Sequence, residues 1–182
     1  MQADEEHMSG RRKIAAVIGG ARVERHTYEQ ALALGEALVD AGFRIVCGGR
    51  TGVMEAACRG ARSSSSYREG DTTGILPGYD ASDANDYVDT VICTGMGHAR
   101  NVIVVASADV VIAIAGGAGT MSEIALAWQL GKPIIALGGS GWGAKVTGAP
   151  IDERRDDIVH HADTPTRAVA MAMALIEGRG AP

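Results

Sequence analysis

The chain has 182 residues, of which 46% are apolar and 4% aromatic, and this is enough to build the core of one α/β domain. Its formal net charge of −5 argues against a nucleic-acid-binding protein, because such a protein needs basic side chains to neutralise phosphates. The three cysteines, Cys47, Cys58 and Cys93, form no Cys-x-x-Cys pair, so we expect neither a zinc site nor a disulfide framework.

The N-terminal segment is polar, and residues 1–12 are predicted to form a disordered tail ahead of a single domain at 13–182. This segment lacks the apolar stretch that a secretory signal peptide requires. No apolar run elsewhere approaches the roughly 20 residues of a membrane span. We therefore expect a cytoplasmic protein without membrane contact.

Apolar runs alternate with helical patterns along the chain. Strands are predicted at 14–18, 43–47, 73–76, 88–93, 110–113 and 133–137, and helices at 27–41, 52–61, 98–107, 121–130 and from 165 onward. The strands are continuous apolar runs rather than period-two patterns, as expected for a parallel sheet covered on both faces. The predicted fold class is therefore α/β, a Rossmann-like three-layer α/β/α domain with a mostly parallel sheet.

Two helix starts carry local signals. Thr27 and Gln30 have the spacing of a capping box, in which both side chains satisfy free amides of the first turn. Thr164 is followed by Pro165, and proline is favoured at the first helical position. The last helix is expected to bury the apolar positions Val169, Ala172, Met173 and Ile176.

The first two strands each end in a pair of glycines, and the second pair comes just before a helix. Glycine lets the backbone approach a phosphate, and a helix N-terminus adds free amides and a partial positive charge. The predicted phosphate-binding residues here are Gly19, Gly20, Gly48, Gly49, Arg50, Thr51, Gly52 and Met54. A tight strand-to-helix turn without a ligand is the alternative.

A similar turn follows the strand predicted at 110–113. Its predicted ligand-binding residues are Gly116, Gly117, Ala118, Gly119 and Thr120. Thr120 and Glu123 also have the spacing of a capping box, so an alternative is that Glu123 serves only its own helix. Since the carboxyl ends of parallel strands lie at one edge of a sheet, we expect the glycine turns to converge on a shared ligand site.

Three further side chains are candidates for contact with a ligand. Arg100 is predicted to open a helix, where a cation is unfavourable, so a phosphate or carboxylate partner would explain it. The alternative is a solvated surface arginine. His98 is a weaker candidate, because a loop histidine needs no function. Trp142, flanked by glycines, could stack on a base or a pterin, or it could pack at the sheet edge or a subunit interface.

The sequence lacks the motifs of several common nucleotide-binding and catalytic sites. The first turn lacks the Gly-x-Gly-x-x-Gly of dinucleotide-binding domains, and no acidic residue for a ribose follows the second strand. The sequence has no Gly-Lys-Ser/Thr phosphate loop and no Gly-x-Ser-x-Gly nucleophile elbow. No metal site is predicted.

Three segments resemble motifs of the LOG ("lonely guy") superfamily. Residues 48–54 are similar to its Gly-Gly-Gly-x-x-Gly-Leu/Val-Met motif, and residues 115–123 resemble Pro-Gly-Gly-x-Gly-Thr-x-x-Glu, with alanine in place of the proline. Residues 98–100 are similar to its His-x-Arg-Lys segment. The likeness extends over roughly residues 13–178, nearly the whole chain.

The resemblance implies a nucleoside 5'-monophosphate phosphoribohydrolase, which cleaves the N-glycosidic bond of cytokinin riboside 5'-monophosphates or AMP. Arg100 and Glu123 would be the catalytic pair, and the glycine turns would hold phosphate and ribose. A homodimer or homotetramer is implied, with no required cofactor. From its position at a predicted helix start, we expect Glu123 to stay ionised and to stabilise positive charge on the sugar.

Two departures from the motifs favour a sister group. Ala115 stands at the motif proline, and Asn101 stands at the lysine that follows the arginine. Residues 99–101 (Ala-Arg-Asn) and residues 124–127 look closer to the molybdenum cofactor carrier-like subgroup, which binds a phosphorylated pterin and need not do chemistry. The alternative function is therefore a non-catalytic carrier with molybdenum cofactor as its bound ligand. A sensor or structural module is a third hypothesis, because fold alone does not fix function.

Overall fold

The computed structural model describes residues 11–178. Its strands are β1 (Ile14–Gly19), β2 (Arg44–Cys47), β3 (Thr72–Leu76), β4 (Thr90–Cys93), β5 (Val110–Ile114), β6 (Ile134–Leu137) and β7 (His160–Ala162). Its α-helices are α1 (Arg25–Asp40), α2 (Val53–Ser63), α3 (Asn101–Ala106), α4 (Ala118–Gln129), α5 (Gly141–Lys145) and α6 (Pro165–Glu177), with 3₁₀ turns at Ala81–Asp83 and Gly97–Arg100. No helix in this part of the chain is long and apolar enough to cross a membrane.

The seven strands form one sheet in the order β4-β3-β2-β1-β5-β6-β7, and every neighbouring pair is parallel. Alternate residues of β1 enter two separate cores: Ala15 and Val17 pack against α1, α2 and α6, whereas Ala16 and Ile18 pack towards α3 and α4. The predicted three-layer α/β/α fold is confirmed.

The direction of strand addition reverses beside β1. The chain runs outward from β1 to β4 and then returns to place β5 on the other side of β1. The loops that leave β1 and β5 therefore diverge, and a crevice opens at the carboxyl edge of the sheet between them. This topology decides where a ligand can approach the backbone.

Glycines bring α1 and α2 into direct backbone contact. A Cβ on Gly35 of α1 would collide with the carbonyl oxygen of Ala57, and a Cβ on Gly60 of α2 would collide with that of Leu32. Only glycine fits at such close approach. The two helices that follow β1 and β2 are thus held together as one layer.

The amino edge of the sheet carries carboxylates that are fully partnered. Asp71, Asp89 and Asp109 each directly precede a strand. Asp71 pairs with Arg12 and accepts the Arg68 amide, and Asp109 accepts two hydrogen bonds from Arg11. Asp89 accepts hydrogen bonds from Tyr67 and Arg62 and from two backbone amides, those of Gly70 and Thr72. These carboxylates anchor the starts of β3, β4 and β5.

Arg11 and Arg12 are the last two residues of the predicted N-terminal tail, and both make these ion pairs with the domain. The rest of that predicted tail, residues 1–10, lies outside the described residues.

Helix starts account for the main differences from the sequence prediction. α1 begins at Arg25 with Glu24 as its N-cap and no side-chain cap, so the predicted capping box at Thr27 is wrong because Thr27 is already helical. The predicted cap of α6 is confirmed: Thr164 accepts a 3.3 Å hydrogen bond from the Arg167 amide. Met173, expected in the buried stripe of α6, is 42% exposed.

The candidate ligand-binding cleft

Glycine turns from three adjacent strands line one cleft at the carboxyl edge of the sheet. The turns follow β1, β2 and β5, and the cleft between them has a volume of about 270 Å³. The predicted site residues that line it are Gly19, Gly20, Gly48, Arg50, Met54, Arg100, Gly117, Gly119, Thr120 and Glu123. The structure therefore brings together residues that are up to about 100 positions apart in the sequence.

Five predicted site residues do not line this cleft. Gly52 is the N-cap of α2 with φ 71°, and the Thr51 hydroxyl donates a 2.9 Å hydrogen bond to the Ala21 carbonyl, which joins the β1 and β2 turns. A Cβ on Gly49 would lie 2.9 Å from Leu76, beneath the turn. The remaining two are Gly116, with φ 85°, and Ala118, the first residue of α4. All five shape the turns from outside the lining.

Three lining residues, Ile18, Ala21 and Asn101, were not among the predicted site residues, and His98, the weaker candidate, also lines the cleft. Asn101 is buried, and its Nδ2 donates a 2.9 Å hydrogen bond to the Ser122 hydroxyl. That hydroxyl donates in turn to the Gly119 carbonyl at 2.7 Å. Asn101 thus connects the start of α3 with the glycine turn of α4, a contact that only the folded chain reveals.

Arg100 presents an unpartnered cation to the cleft. Its Nε and Nη1 atoms are buried and have no hydrogen-bond partner within residues 11–178. The guanidinium occupies the space where a Cβ on Gly48 would be, so glycine is required beneath it. Burial lowers the pKa of Arg100, while the charges of Glu123 and Cys47 oppose that shift. Arginine remains charged in proteins at neutral pH, so Arg100 presents a positive charge to the cleft.

Glu123 is buried in the same cleft and is only 8% exposed. Burial raises the pKa of Glu123 to about 7, and the charge of Arg100 opposes the rise without cancelling it. The expectation that Glu123 stays ionised at a helix start is corrected, because α4 begins at Ala118 and Glu123 lies beyond its first turn. The capping-box alternative for Thr120 and Glu123 is wrong for the same reason.

The α4 turn leaves room for a ligand to contact its backbone. α4 has Gly117 as its N-cap, with no side-chain hydrogen bond to the cap. A Cβ on either Gly117 or Gly119 would meet nothing within 4 Å. The first-turn amides of a helix have no partners within the helix and favour an anion.

Ala115 precedes this turn and has φ 51°. Proline is fixed near −65° and cannot adopt that value, so the departure from the motif proline changes the backbone as well as the side chain.

Trp142 does not line the cleft. It packs half-buried against the core on the α3 and α4 side of the sheet, and the Lys145 ammonium lies 4.8 Å from its ring centroid. Its position matches the packing alternative rather than a stacking role in this cleft. Trp128 on α4 is buried in the same core.

Comparison with known proteins identifies relatives over most of the chain. The model of the SLOG cluster4 family matches residues 12–171. A protein of Archaeoglobus fulgidus is 43% identical over 121 residues, which are 66% of this chain and 77% of that protein.

Two solved structures are similar over almost their whole length. The molybdenum cofactor binding protein from Rippkaea orientalis has a TM-score of 0.82 and 35% identity, and the match covers 92% of this chain and 99% of that chain. The molybdenum cofactor carrier protein from Chlamydomonas reinhardtii has a TM-score of 0.77 and 33% identity, covering 91% and 99% respectively.

Proposed function

Because the chain belongs to the SLOG cluster4 family, we propose that its cleft binds a phosphorylated pterin of the molybdenum cofactor kind, as a binding or carrier protein. The observation that carries the proposal is the buried guanidinium of Arg100, whose Nε and Nη1 lack partners in the described chain. The similar proteins of Rippkaea orientalis and Chlamydomonas reinhardtii are named for binding or carrying this cofactor. Both therefore support a pterin ligand.

The lining residues fit a phosphate group. Arg100 would donate to the phosphate from the cleft wall, and Arg50 would add a second positive charge at the mouth. Gly117 and Gly119 would let the phosphate approach the amides at the start of α4. The missing side chain at Gly48 leaves the Arg100 guanidinium space to face the ligand.

The protonation of Glu123 favours a dianionic ligand. A pKa of about 7 leaves a large share of Glu123 neutral at neutral pH, so Arg50 and Arg100 face the ligand with little opposing negative charge. A bound phosphate would raise this pKa further by like-charge repulsion. Binding is then accompanied by proton uptake, and affinity falls as pH rises above about 7.

The proposal is tested by titrating the protein with a phosphorylated pterin, followed by the fluorescence of the pterin. We expect Arg100→Gln to weaken binding on the order of 100-fold, because a charged donor to a buried phosphate is lost. Arg44→Gln is the matched control, because this substitution removes the same charge and Arg44 begins β2, at the opposite edge of the sheet from the cleft. Equal affinity in all three proteins would contradict the proposal.

A second candidate function is hydrolysis of the N-glycosidic bond of a nucleoside 5'-monophosphate, favoured by the raised pKa of Glu123. A carboxyl group that is protonated near neutral pH can donate a proton to the leaving base. The resulting carboxylate would stabilise positive charge on the ribose. Water then adds to the sugar and returns a proton to the Glu123 carboxylate, and the products are the free base and ribose 5-phosphate.

This candidate is tested by assaying release of adenine from AMP. We expect Glu123→Gln to lower the rate roughly 100-fold or more, as for loss of a general acid, while AMP binding is retained. If the unmodified protein releases no adenine, the hydrolase function is rejected, and the proposed binding function is unaffected.

A further inference from the structure

Three sulfur atoms lie together beneath the floor of the cleft. Cys47 ends β2, Met54 lies in the first turn of α2, and Cys58 follows one turn later. They form a buried cluster of their own, separate from the two main cores. Neither the fold nor the proposed binding of a phosphate uses these sulfur atoms.

The two thiols face each other at close range. The Sγ atoms of Cys47 and Cys58 are 3.7 Å apart, and both residues are 0% exposed. The Gly49 amide donates to the Cys47 sulfur at 3.3 Å. Cys47 is therefore fixed both by its strand and by the turn that follows it.

Met54 is the one member of this buried cluster that also lines the cleft. Met54 and Cys58 are four residues apart on α2, so their side chains share one helix face. A Cβ on Gly48, the neighbour of Cys47, would lie 2.7 Å from the Met54 Sδ atom. Met54 also lines the cleft, so a small ion in the cleft would meet this sulfur first.

We propose that Cys47, Cys58 and Met54 form a binding site for a soft monovalent metal cation, Cu(I) being the expected ion. Thiolate and thioether ligands select such ions. Metal–thiolate bonds are about 2.3 Å long, so two thiolates on a trigonal ion lie about 4 Å apart. The observed separation of 3.7 Å needs only a small adjustment. Three sulfur ligands are one fewer than a structural zinc site uses.

Charge balance supports a monovalent ion at this position. Two thiolates and one Cu(I) carry a net charge of −1, and the unpartnered guanidinium of Arg100 lies against Gly48. Arg100 and Cys47 are close enough to interact electrostatically. Within residues 11–178 no group of three or more His, Cys, Asp and Glu could hold a metal, and this cluster differs in using a thioether as its third ligand.

Binding is a ligand exchange in which no atom changes oxidation state. The two thiols lose two protons to solvent, three Cu–S bonds form (two to thiolates and one to the thioether), and Cu(I) leaves the ligands that delivered it. The ion must therefore be supplied as Cu(I) under anaerobic conditions.

The test is anaerobic competition for Cu(I) between the protein and bicinchoninate, a coloured Cu(I) chelator. We expect the unmodified protein and Cys93→Ser to withdraw one equivalent of Cu(I), because Cys93 is exposed and outside the cluster. We expect Cys47→Ser and Cys58→Ser to bind roughly 100-fold more weakly. Met54→Leu keeps both thiols and is expected to weaken binding by about tenfold.

Thermal unfolding establishes that each variant is folded. If a serine variant does not fold, Met54→Leu still tests the site, because leucine conserves the volume of methionine. The proposal is overturned by equal Cu(I) uptake in all variants, by loss of uptake in Cys93→Ser alone, or by no uptake in the unmodified protein. A disulfide between Cys47 and Cys58 in freshly purified protein also overturns it. The assay contains no phosphate ligand, so its outcome is independent of the proposed pterin binding.

Discussion

Charged side chains at the two edges of the sheet differ in whether they have hydrogen-bond partners within the chain. At the amino edge, Asp89 accepts hydrogen bonds from two side chains and two backbone amides. At the carboxyl edge, the carboxyl group of Glu123 has no hydrogen bond within the described chain, and two side-chain nitrogens of Arg100 have no hydrogen-bond partner either. A buried charge whose partners all belong to the chain is structural, whereas one without partners indicates a ligand.

The pKa shifts of the two carboxyl groups follow this difference. Burial alone would raise the pKa of Asp89, but hydrogen bonds from Tyr67, Thr72 and Arg62 outweigh it and hold the pKa below its usual value. Glu123 has no such hydrogen bonds, and burial raises its pKa to about 7. The two pKa values therefore shift in opposite directions: at Asp89 the hydrogen bonds outweigh burial, whereas Glu123 is more deeply buried and has no such bonds to oppose the rise.

The largest predicted effect is at the amino edge. Asp89→Asn replaces one acceptor oxygen with an amide group that faces donors and removes the negative charge that pairs with Arg62, so we expect the free energy of unfolding to fall by about 4 kcal/mol. Urea denaturation measures the change, with Asp86→Asn in an exposed loop as the control. A loss no greater than that of the control would remove the distinction between the two edges.

Glu123→Gln is predicted to raise the free energy of unfolding, the opposite of the effect of Asp89→Asn. Because the pKa of Glu123 is about 7 in the native protein and about 4.3 in an unfolded chain, the native state holds a proton that the unfolded state has lost between these values. Stability of the unmodified protein therefore falls as pH rises through this window. Glutamine does not titrate and so avoids this loss. The free energy of unfolding of the variant is therefore expected to exceed that of the unmodified protein by about 3 kcal/mol at about pH 8 and by almost nothing at about pH 4.

Urea denaturation at several pH values measures this gain, with the exposed Glu69→Gln as the control. A difference between Glu123→Gln and the unmodified protein that stays constant with pH would show that Glu123 is not held neutral by burial.

The smallest predicted effect concerns the backbone that precedes the α4 turn. Ala115 has φ 51°, where a residue with a Cβ is strained, so Ala115→Gly is expected to stabilise the protein by about 0.5–1 kcal/mol after the entropy cost of glycine. The shift in melting temperature measures it. Destabilisation by this substitution would mean that the methyl group contributes more packing than strain.

The sequence predicted the architecture well because continuous apolar strands and glycine turns are local signals. β5 lies within one residue of its predicted bounds and α2 within two. β7 was missed because its residues, His160 to Ala162, are few and mostly polar. α4 starts three residues before its predicted position, because its glycines read as a loop although Gly119 is helical.

The location of the candidate site could be predicted from the sequence, whereas the protonation and hydrogen bonding of its residues could not. Gly48, Gly117 and Arg100 follow from strand ends and from a cation at a helix start, and all three line one cleft. The protonation of Glu123 did not follow, because burial is a tertiary property that a motif does not encode. The bond from Asn101 to Ser122 joins two helices, and no spacing in the sequence signals it.

The glycine contact between α1 and α2 limits how the cleft can change its width. The Val53 amide donates to the Gly20 carbonyl at 3.0 Å and Thr51 bonds to Ala21, so the turns after β1 and β2 form one rigid block with the helices behind them. The α4 turn carries open glycines and a strained residue instead. We therefore expect residues 115–119 to adjust more readily to a bound ligand than the turns after β1 and β2, although the Ser122 hydroxyl ties Gly119 to the start of α3 through Asn101.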